Sequence, residues 1–321
     1  MRLLPLVGAA LCCALLQAAP AARAAETFEL GLLGSPNAPG WPWYIAIDKG
    51  FVAEAGLSPD IIYAPTPSGI MQQLAAGSLD IIDIGVVEPI HAVARGAPVA
   101  ILRITGAVPP YELLANPAVK SIKDLKGKIF VIGGLIDINR VYLERVLKAA
   151  GLKDSDIDIT TVGNTAGRYA ALKSGAADAT MLTPPFNFFA EAEGYNNIGL
   201  MTQFAGDLPF GSTDVSLAYA EKHRASLGKI LAILDKASAW YDDPVNRDEA
   251  ITILLKAMSS TDRDSVAKSY DYLRKIDYFG SPAVSRARLK TVMAEMKALG
   301  DTQEDVPLDK LVIAGMTPVT E

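Results

Sequence analysis

The chain carries one α/β pattern twice. The segment LAAGSLDI at residues 74–81 recurs as LKSGAADA at residues 172–179, and Ala-Gly-Leu at residues 55–57 recurs at residues 150–152. Each copy has the pattern of a helix, a glycine that ends it, and a strand. Two copies predict two similar lobes instead of a longer repeat array. A small molecule could then be buried between the lobes.

The first 25 residues have the pattern of a cleaved signal peptide. Met1-Arg2 precedes an apolar run at residues 3–19, and Ala-Arg-Ala at residues 22–24 fits a small-x-small cleavage site. We expect the exported chain to begin at Ala25 or Glu26. The alternative is a transmembrane anchor, but the apolar run is shorter than the roughly 20 residues that a spanning helix needs.

Composition excludes several classes of function. Both cysteines, Cys12 and Cys13, lie in the leader, so the exported chain has no disulfide, thiol nucleophile or cysteine metal site. Without the leader, 28 basic residues face 36 acidic ones, which argues against nucleic acid as a partner. The two histidines, His91 and His223, have no neighbouring catalytic motif. We therefore expect no metal, no cofactor and no catalysis.

The order of predicted elements indicates an α/β fold of two lobes. Strands alternate with helices, which predicts a mainly parallel sheet flanked by helices in each lobe. We expect lobe one to contain residues 26–108 and 210–321, with the C-terminal helices packed on it, and lobe two to contain residues 109–209. The chain would cross between the lobes twice, at two hinge segments. Ligands of such sheets lie at the carboxyl ends of the strands.

Three segments resemble a known family. They are PWYIAIDKGF at residues 42–51, LAAGSLDI at residues 74–81 and IKDLKGK at residues 122–128. They resemble the periplasmic solute-binding proteins of ABC importers, in the nitrate, sulfonate, taurine and thiamine-pyrimidine (NMT1/THI5-like) group. The resemblance implies a two-lobed, type II-like periplasmic binding protein that closes on a solute and delivers it to an inner-membrane permease. We expect it to act as a monomer.

The resemblance also implies where the ligand would be contacted. Mapped onto this sequence, these positions are Gly40, Trp41, Ser68, Gly69, Gly85, Val86, Glu88, Gly133, Gly134, Asn164 and Thr165. Asp137 is a further candidate, and Asp83 and Asp214 are lesser ones. Glu88 and Asp137 place carboxylates where the family often has small neutral residues.

Predicted helix starts at Ser68, Asp137 and Thr165 would offer unpaired N–H groups to an anion. These side chains could instead only cap their own helices. Arg140 and Arg168 each lie near a helix start, where a positive charge opposes the helix dipole. An anionic ligand group would compensate them, although Arg140 could pair with Asp137 and either arginine could lie in solvent.

Two further side chains bear on the kind of ligand. Glu88 begins a helix, where it could complement the dipole or accept hydrogen bonds from an amine or aminopyrimidine. Trp41 lies in a predicted loop and could stack on a flat ligand, whereas Trp43 fits a core position.

The sequence thus predicts a receptor that captures a small organic anion or zwitterion of the sulfonate, taurine or nitrate type. A pyrimidine or another aromatic heterocycle is the alternative. From other classes, a periplasmic sensor and an enzyme like the pyrimidine-precursor synthases stay open.

Overall fold

The computed structural model describes residues 25–302 and 306–321. The predicted signal peptide, apart from Ala25, lies outside these residues. Among the helices in the two described ranges, none has the length and apolar character needed to cross a membrane.

Short strands alternate with helices along most of the described chain. The strands are β1 (Glu26–Leu33), β2 (Leu57–Ala64), β3 (Ile81–Gly85), β4 (Val99–Gly106), β5 (Glu112–Ala115), β6 (Ile129–Ile132), β7 (Asp158–Thr161), β8 (Ala179–Leu182), β9 (Asn196–Leu200), β10 (Gly211–Ser216), β11 (Val284–Ser285) and β12 (Val319–Thr320).

The helices are α1 (Trp41–Asp48), α2 (Phe51–Glu54), α3 (Pro67–Ala75), α4 (Val87–Ala94), α5 (Ile138–Ala150), α6 (Thr165–Ser174), α7 (Phe186–Ala192), α8 (Thr202–Ala205), α9 (Leu217–Lys222), α10 (Arg224–Asp242), α11 (Arg247–Met258), α12 (Arg263–Lys275), α13 (Arg286–Ala298) and α14 (Leu308–Leu311). Short 3-10 turns lie at Ala38–Gly40, Ile122–Leu125, Asp154–Asp156 and Pro244–Asn246.

Two five-stranded mixed sheets form the centres of the two lobes. Sheet one has the order β2-β1-β3-β10-β4 and belongs to lobe one, whereas sheet two has the order β7-β6-β8-β5-β9 and belongs to lobe two. In each sheet, the strand that follows a crossing is antiparallel to both neighbours, β10 in the first and β5 in the second. The predicted α/β fold class is confirmed. The edge strand β9 was not predicted.

The repeated sequence segments form equivalent pieces of the two lobes. α3 ends before Gly77 and α6 before Gly175, and both glycines have positive φ, at 73° and 77°. Backbone in this region favours glycine because it has no Cβ. The strands that follow these helices also occupy equivalent positions. β3 pairs in parallel with β1 in sheet one, and β8 pairs in parallel with β6 in sheet two.

The start of α3 differs from the sequence prediction. Pro67 occupies the first turn of the helix, so the N-cap is Thr66, whose hydroxyl accepts a hydrogen bond from the Gly69 amide at 3.2 Å. Proline fits the first helical position because its missing N–H has no partner there in any case. The prediction that Ser68 caps this helix was therefore wrong.

The C-terminal helices divide between two packing sites. Helices α10, α11 and α12 join α1 in one core, as expected for lobe one. Helix α13 instead packs with α4 of lobe one and α5 of lobe two, and Glu295 on it accepts a hydrogen bond from Arg145 of α5 at 2.7 Å. The apolar face of α13 thus covers the joint between the lobes. The residue boundaries of the two lobes as moving bodies stay a prediction.

Candidate functional site

A cavity lies between the two sheets, at the carboxyl ends of their parallel strands. It contains about 90 Å³ of space open to water, which is several times the minimum that holds one water molecule. The lobe-one lining is Leu32, Leu33, Asn37, Pro39, Gly40, Tyr44, Pro67, Asp83, Ile84, Gly85, Glu88, Thr105 and Tyr278. Tyr111, Asp137, Ile138, Asn139, Gly163, Thr165, Arg168 and Thr183 line it from lobe two, and Phe210 from the second crossing.

The rim of the cavity, opposite the hinge segments, is closed by contacts between the lobes. The Ala38 amide donates a hydrogen bond to the Pro184 carbonyl at 3.1 Å. The Asn164 side-chain amide donates to the Pro65 carbonyl, also at 3.1 Å. A Cβ on Gly163 would lie 2.4 Å from that same carbonyl oxygen, so only glycine fits this approach. The structure is therefore a closed conformation.

Three carboxyl groups line the cavity, Glu88 and Asp83 from lobe one and Asp137 from lobe two, and are together called its carboxyl wall. Glu88 is 6% exposed and Asp137 1% exposed, and Asp83 is partly buried. In each, one oxygen is buried without a hydrogen-bond partner among the described residues, namely Oε2 of Glu88, Oδ2 of Asp137 and Oδ1 of Asp83. Buried acceptors without partners are costly, because desolvation is not repaid.

The electrostatic environment of this wall favours protonation. Burial, Asp137 and Asp214 together raise the pKa of Glu88 well above its usual range. Burial raises the pKa of Asp137 to about 7, although the charge of Arg168 acts in the opposite direction. Burial likewise raises the pKa of Asp83 to about 6. These carboxyl groups thus hold their protons more tightly than ordinary ones do, because too little positive charge lies nearby to stabilise the ionised forms.

Arg168 is the cationic side chain of the cavity lining. It is 2% exposed, and its Nε and Nη1 donate to the carbonyls of Met181 and Gly163 at 3.1 and 3.3 Å. The guanidinium lies 5.8 Å from the centre of the Tyr111 ring. Within the described ranges, no carboxylate lies close enough to Arg168 to form an ion pair. Carbonyl oxygens therefore hold it in place.

Aromatic rings line the hinge side of the cavity. Tyr111 and Phe210 meet edge to face with ring centres 5.3 Å apart, and Tyr278 lies 6.1 Å from Phe210. A Cβ on Gly106 would clash with both Phe210 and Tyr278, at 2.9 and 2.8 Å. Such rings suit a flat or cationic ligand.

Of the predicted site residues, seven line this cavity: Gly40, Asp83, Gly85, Glu88, Asp137, Thr165 and Arg168. Among the others, Asn164 lies at the rim and caps α6 by accepting from the Gly167 amide at 2.9 Å. Thr165 does not cap this helix, and its hydroxyl accepts from the Thr183 amide at 3.1 Å.

The remaining glycines and Val86 have roles beside the cavity. A Cβ on Gly133 would lie 2.3 Å from Oδ2 of Asp137, so this glycine makes room for the carboxylate. The Gly134 amide acts to lower the pKa of Asp137. Val86 is the N-cap residue of α4, and its amide donates to the Phe210 carbonyl at 3.1 Å. Ser68 and Gly69 lie in the first turn of α3 outside the lining, and Ser68 is exposed.

The structure places Trp41 in the core of lobe one instead of the cleft. It is fully buried, its indole Nε1 donates to the Ala250 carbonyl at 2.8 Å, and its ring contacts Tyr241 and Tyr270. Trp41 is the first residue of α1, on the side that faces α10 and α11. Stacking on a ligand is therefore excluded in this conformation.

Arg140 and Asp214 also lie outside the lining. Arg140 is buried and forms ion pairs with Asp154 and, at 3.5 Å, with Glu144, so its charge is paired with these two carboxylates and not with Asp137. Asp214 is fully buried within sheet one, where Oδ1 accepts a hydrogen bond from the Ser212 hydroxyl at 2.7 Å. It acts on the cavity through its charge on Glu88.

Sequence reasoning missed most of the aromatic lining and Asn139, whose Oδ1 is buried without a partner. A pattern could have indicated two of the rings. Each crossing has a proline directly before an aromatic residue, Pro110-Tyr111 in the first and Pro209-Phe210 in the second.

Comparison of the sequence with known proteins places the chain in one family. Residues 37–197 match the family model described as NMT1/THI5 like. A Bacillus subtilis protein named as a binding protein, YtlA, is 25% identical over 84% of this chain. An Escherichia coli protein named as aliphatic sulfonates-binding is 29% identical over 62% of it, and the formylaminopyrimidine-binding protein of Halalkalibacterium halodurans is 31% identical over 50%. The matches span 83%, 62% and 48% of these relatives.

Solved structures show the same fold. The ligand-binding component of an ABC-type import system from Staphylococcus aureus has a TM-score of 0.78 at 12% identity, with 91% of this chain and 97% of that chain covered. The periplasmic aliphatic sulphonate binding protein SsuA from Escherichia coli has a TM-score of 0.71 at 20% identity, with 92% and 94% covered. The fold is that of periplasmic binding proteins. Within the described ranges, no group of three or more His, Cys, Asp or Glu could hold a metal ion.

Proposed function

Because the chain belongs to the NMT1/THI5-like family, we propose that it is the solute-binding component of an ABC importer. It captures a small polar solute between its lobes and presents the closed form to a membrane permease. The observation that carries this proposal is the cavity itself, which both lobes wall and which contains unpartnered polar atoms from each. Relatives named as binding proteins support binding without catalysis.

The chemistry of the cavity favours a solute that donates hydrogen bonds. Three carboxyl groups face one arginine, and that arginine already donates to two carbonyls. A bare nitrate or alkanesulfonate would meet three carboxyls with Arg168 as the one cationic side chain of the lining that the structure describes. An amino-substituted heterocycle would instead donate to the carboxyls and pack on the rings of Tyr111 and Phe210. The pyrimidine alternative is therefore the better fit.

A zwitterion such as taurine is the second candidate. Its ammonium group would face the carboxyl wall, and its sulfonate would lie near Arg168. The presence of Arg168 in the same cavity lining as the carboxyl groups is the observation that favours a zwitterion.

The setting of this function is part of the proposal. An exported, periplasmic chain that acts as a monomer with an inner-membrane permease is consistent with the predicted signal peptide and with the named relatives. No nucleic acid or cofactor enters this scheme.

Thermal unfolding of the purified protein tests the proposal. We expect 4-aminopyrimidine or a close amino heterocycle to raise Tm with increasing concentration, because a ligand of the native state stabilises it by mass action. Taurine is expected to have a smaller effect, and ethanesulfonate and nitrate none. Small-angle scattering should show a more compact particle with the active solute than without it.

The opposite results would contradict the proposal in separate ways. Stabilisation by ethanesulfonate or nitrate alone would overturn the choice of solute. Identical scattering curves with and without a stabilising solute would overturn capture by lobe closure. Turnover of the solute during incubation would show an enzyme.

A further inference from the structure

We infer that Glu88 of lobe one and Asp137 of lobe two together form a subsite for a cationic nitrogen group of the solute, an ammonium or amidinium, whose charge drives closure. This inference rests on the proposed function and deepens it. It names the charge class of the solute and the step at which that charge is recognised.

The two carboxyl groups come from opposite lobes. Glu88 lies in the first turn of α4, directly after β3, and Asp137 is the N-cap of α5, directly before Ile138. The lobes approach closely at Gly85. A Cβ on this residue would lie 2.9 Å from Glu88 Oε2 in the same lobe and 2.9 Å from Ile138 Cγ2 in the other lobe. Closure therefore brings Glu88 against the start of α5.

Each group keeps one oxygen for a ligand. Oδ1 of Asp137 accepts the capping hydrogen bond from the Arg140 amide at 3.1 Å, which leaves Oδ2 without a partner. Oε2 of Glu88 also has none among the described residues. Both side chains are more than nine-tenths buried and line the cavity.

The surrounding charges compensate this pair only in part. On the lobe-one side, Asp214 of β10 raises the pKa of Glu88 further, and burial raises the pKa of Asp214 itself. On the lobe-two side, Arg168 acts on Asp137, and carbonyl oxygens accept its hydrogen bonds. The charges of Glu88 and Asp137 both act to raise the pKa of the Tyr111 phenol. Asp83 and Tyr278 are further titratable residues of the lining.

Closure without a solute would consequently bury two like charges together, which is unfavourable unless one is protonated. A proton can occupy the pair at low pH. At neutral or higher pH, a cation placed between the two oxygens takes the place of that proton and releases it to solvent. Closing is thus coupled to the positive charge of the solute.

The first test uses the protein with no solute. We expect small-angle scattering to show a more open particle at about pH 9 than at about pH 5, because both carboxyls are ionised at the higher pH. Glu88→Gln, which mimics the protonated side chain, should stay compact at both. Glu112→Gln is the matched control, since Glu112 at the start of β5 is also a buried carboxyl whose pKa burial raises to about 7, but it lies outside the cavity lining, and this variant should open as the wild type does.

The second test compares guanidinium with urea, which share a planar shape and differ in charge. At millimolar concentration both are far below their denaturing range, and sodium chloride controls for ionic strength. We expect guanidinium to make the wild-type particle more compact at about pH 8. We also expect it to bind about tenfold or more tighter than urea, because a hydrogen bond between charged groups is stronger than one from a neutral donor. Glu88→Gln and Asp137→Asn should lose this preference, and Glu112→Gln should keep it.

Two results would overturn the inference. One is a solute-free protein equally compact at both pH values, with no response to guanidinium. The other is a guanidinium preference that survives Glu88→Gln and Asp137→Asn. Neither result bears on solute capture itself, which fails only if no solute stabilises or compacts the protein.

Discussion

The side-chain amide of Asn164, in lobe two, donates a hydrogen bond to the main-chain carbonyl of Pro65, in lobe one, across 3.1 Å. The oxygen of the same side chain accepts from the Gly167 amide at 2.9 Å and caps α6. One residue therefore starts a helix and joins the two lobes at the rim. These two roles can be separated by substitution.

Asn164→Asp should weaken closure without weakening the fold. Aspartate caps helices as well as asparagine does, but its second oxygen would face the Pro65 carbonyl in place of a donor. We expect solute affinity, measured by calorimetry, to fall about 2- to 10-fold, the effect of one neutral hydrogen bond. Tm without solute should not change.

Asn164→Ala is the comparison for this variant. It removes the cap as well as the contact between the lobes, so the free energy of unfolding should also fall by about 1 kcal/mol. Unchanged affinity in Asn164→Asp would show that the contact at the rim does not stabilise the closed form.

Gly163→Ala should hold the lobes apart. The added Cβ would lie 2.4 Å from the Pro65 carbonyl oxygen and 2.9 Å from Thr66 Cγ2, contacts that arise only when the lobes meet. We expect affinity to fall about tenfold or more, because overpacking of this kind costs about 1–3 kcal/mol. Scattering should show an open particle even with solute present, while Tm without solute stays near the wild-type value.

Gly228→Ala is the control for that change. Gly228 lies on the exposed side of α10, and no atom lies within 4 Å of its added Cβ. Alanine in a helix is more stable than glycine by about 0.5–1 kcal/mol, so this variant should melt slightly higher and bind normally. Normal closure in Gly163→Ala would contradict the tight approach at the rim.

The fold was predictable because its determinants are local. Gly77 and Gly175 end equivalent helices, and a glycine stop followed by an apolar run is visible in any single copy of the repeat. The mixed character of the sheets was less visible. Strand β9 contains Asn196 and Asn197, which are poor strand formers. It becomes a strand through its hydrogen bonds with β5, whose outer edge is otherwise unpaired.

The site could be predicted from the sequence only where the chemistry of a side chain at its position demands an interaction. Arg168 near a helix start needed a partner, and the structure gives it carbonyl oxygens. Trp41 looked like a loop residue, since its burial depends on α10 and α11, which follow some 180 or more residues later. The orientation of Arg140 depends likewise on Asp154. Long-range packing of this kind leaves no local pattern.

Trp41→Phe should affect stability and spare solute binding. The substitution removes the hydrogen bond from the indole Nε1 to the Ala250 carbonyl and leaves part of a buried volume unfilled. We expect the free energy of unfolding, measured with urea, to fall by about 2 kcal/mol. Solute affinity should stay within about twofold, below the tenfold that corresponds to 1.4 kcal/mol. A large loss of affinity at unchanged stability would instead place Trp41 at the ligand.

Asp83→Asn should make the solute-free protein more stable at high pH and leave it unchanged at low pH. Burial raises the pKa of Asp83 from 3.8 to about 6 in the folded protein, so the folded state binds this proton more tightly than the unfolded chain does. Its contribution to stability is therefore complete below pH 3.8 and is lost as the pH rises to about 6. Asparagine keeps an oxygen for the Trp43 indole and has no charge to desolvate. Urea unfolding across this range should show the variant gaining on the wild type by up to ~3 kcal/mol, with the difference constant at higher pH. A difference between the two proteins that does not vary with pH would mean that Asp83 is solvated in the folded state.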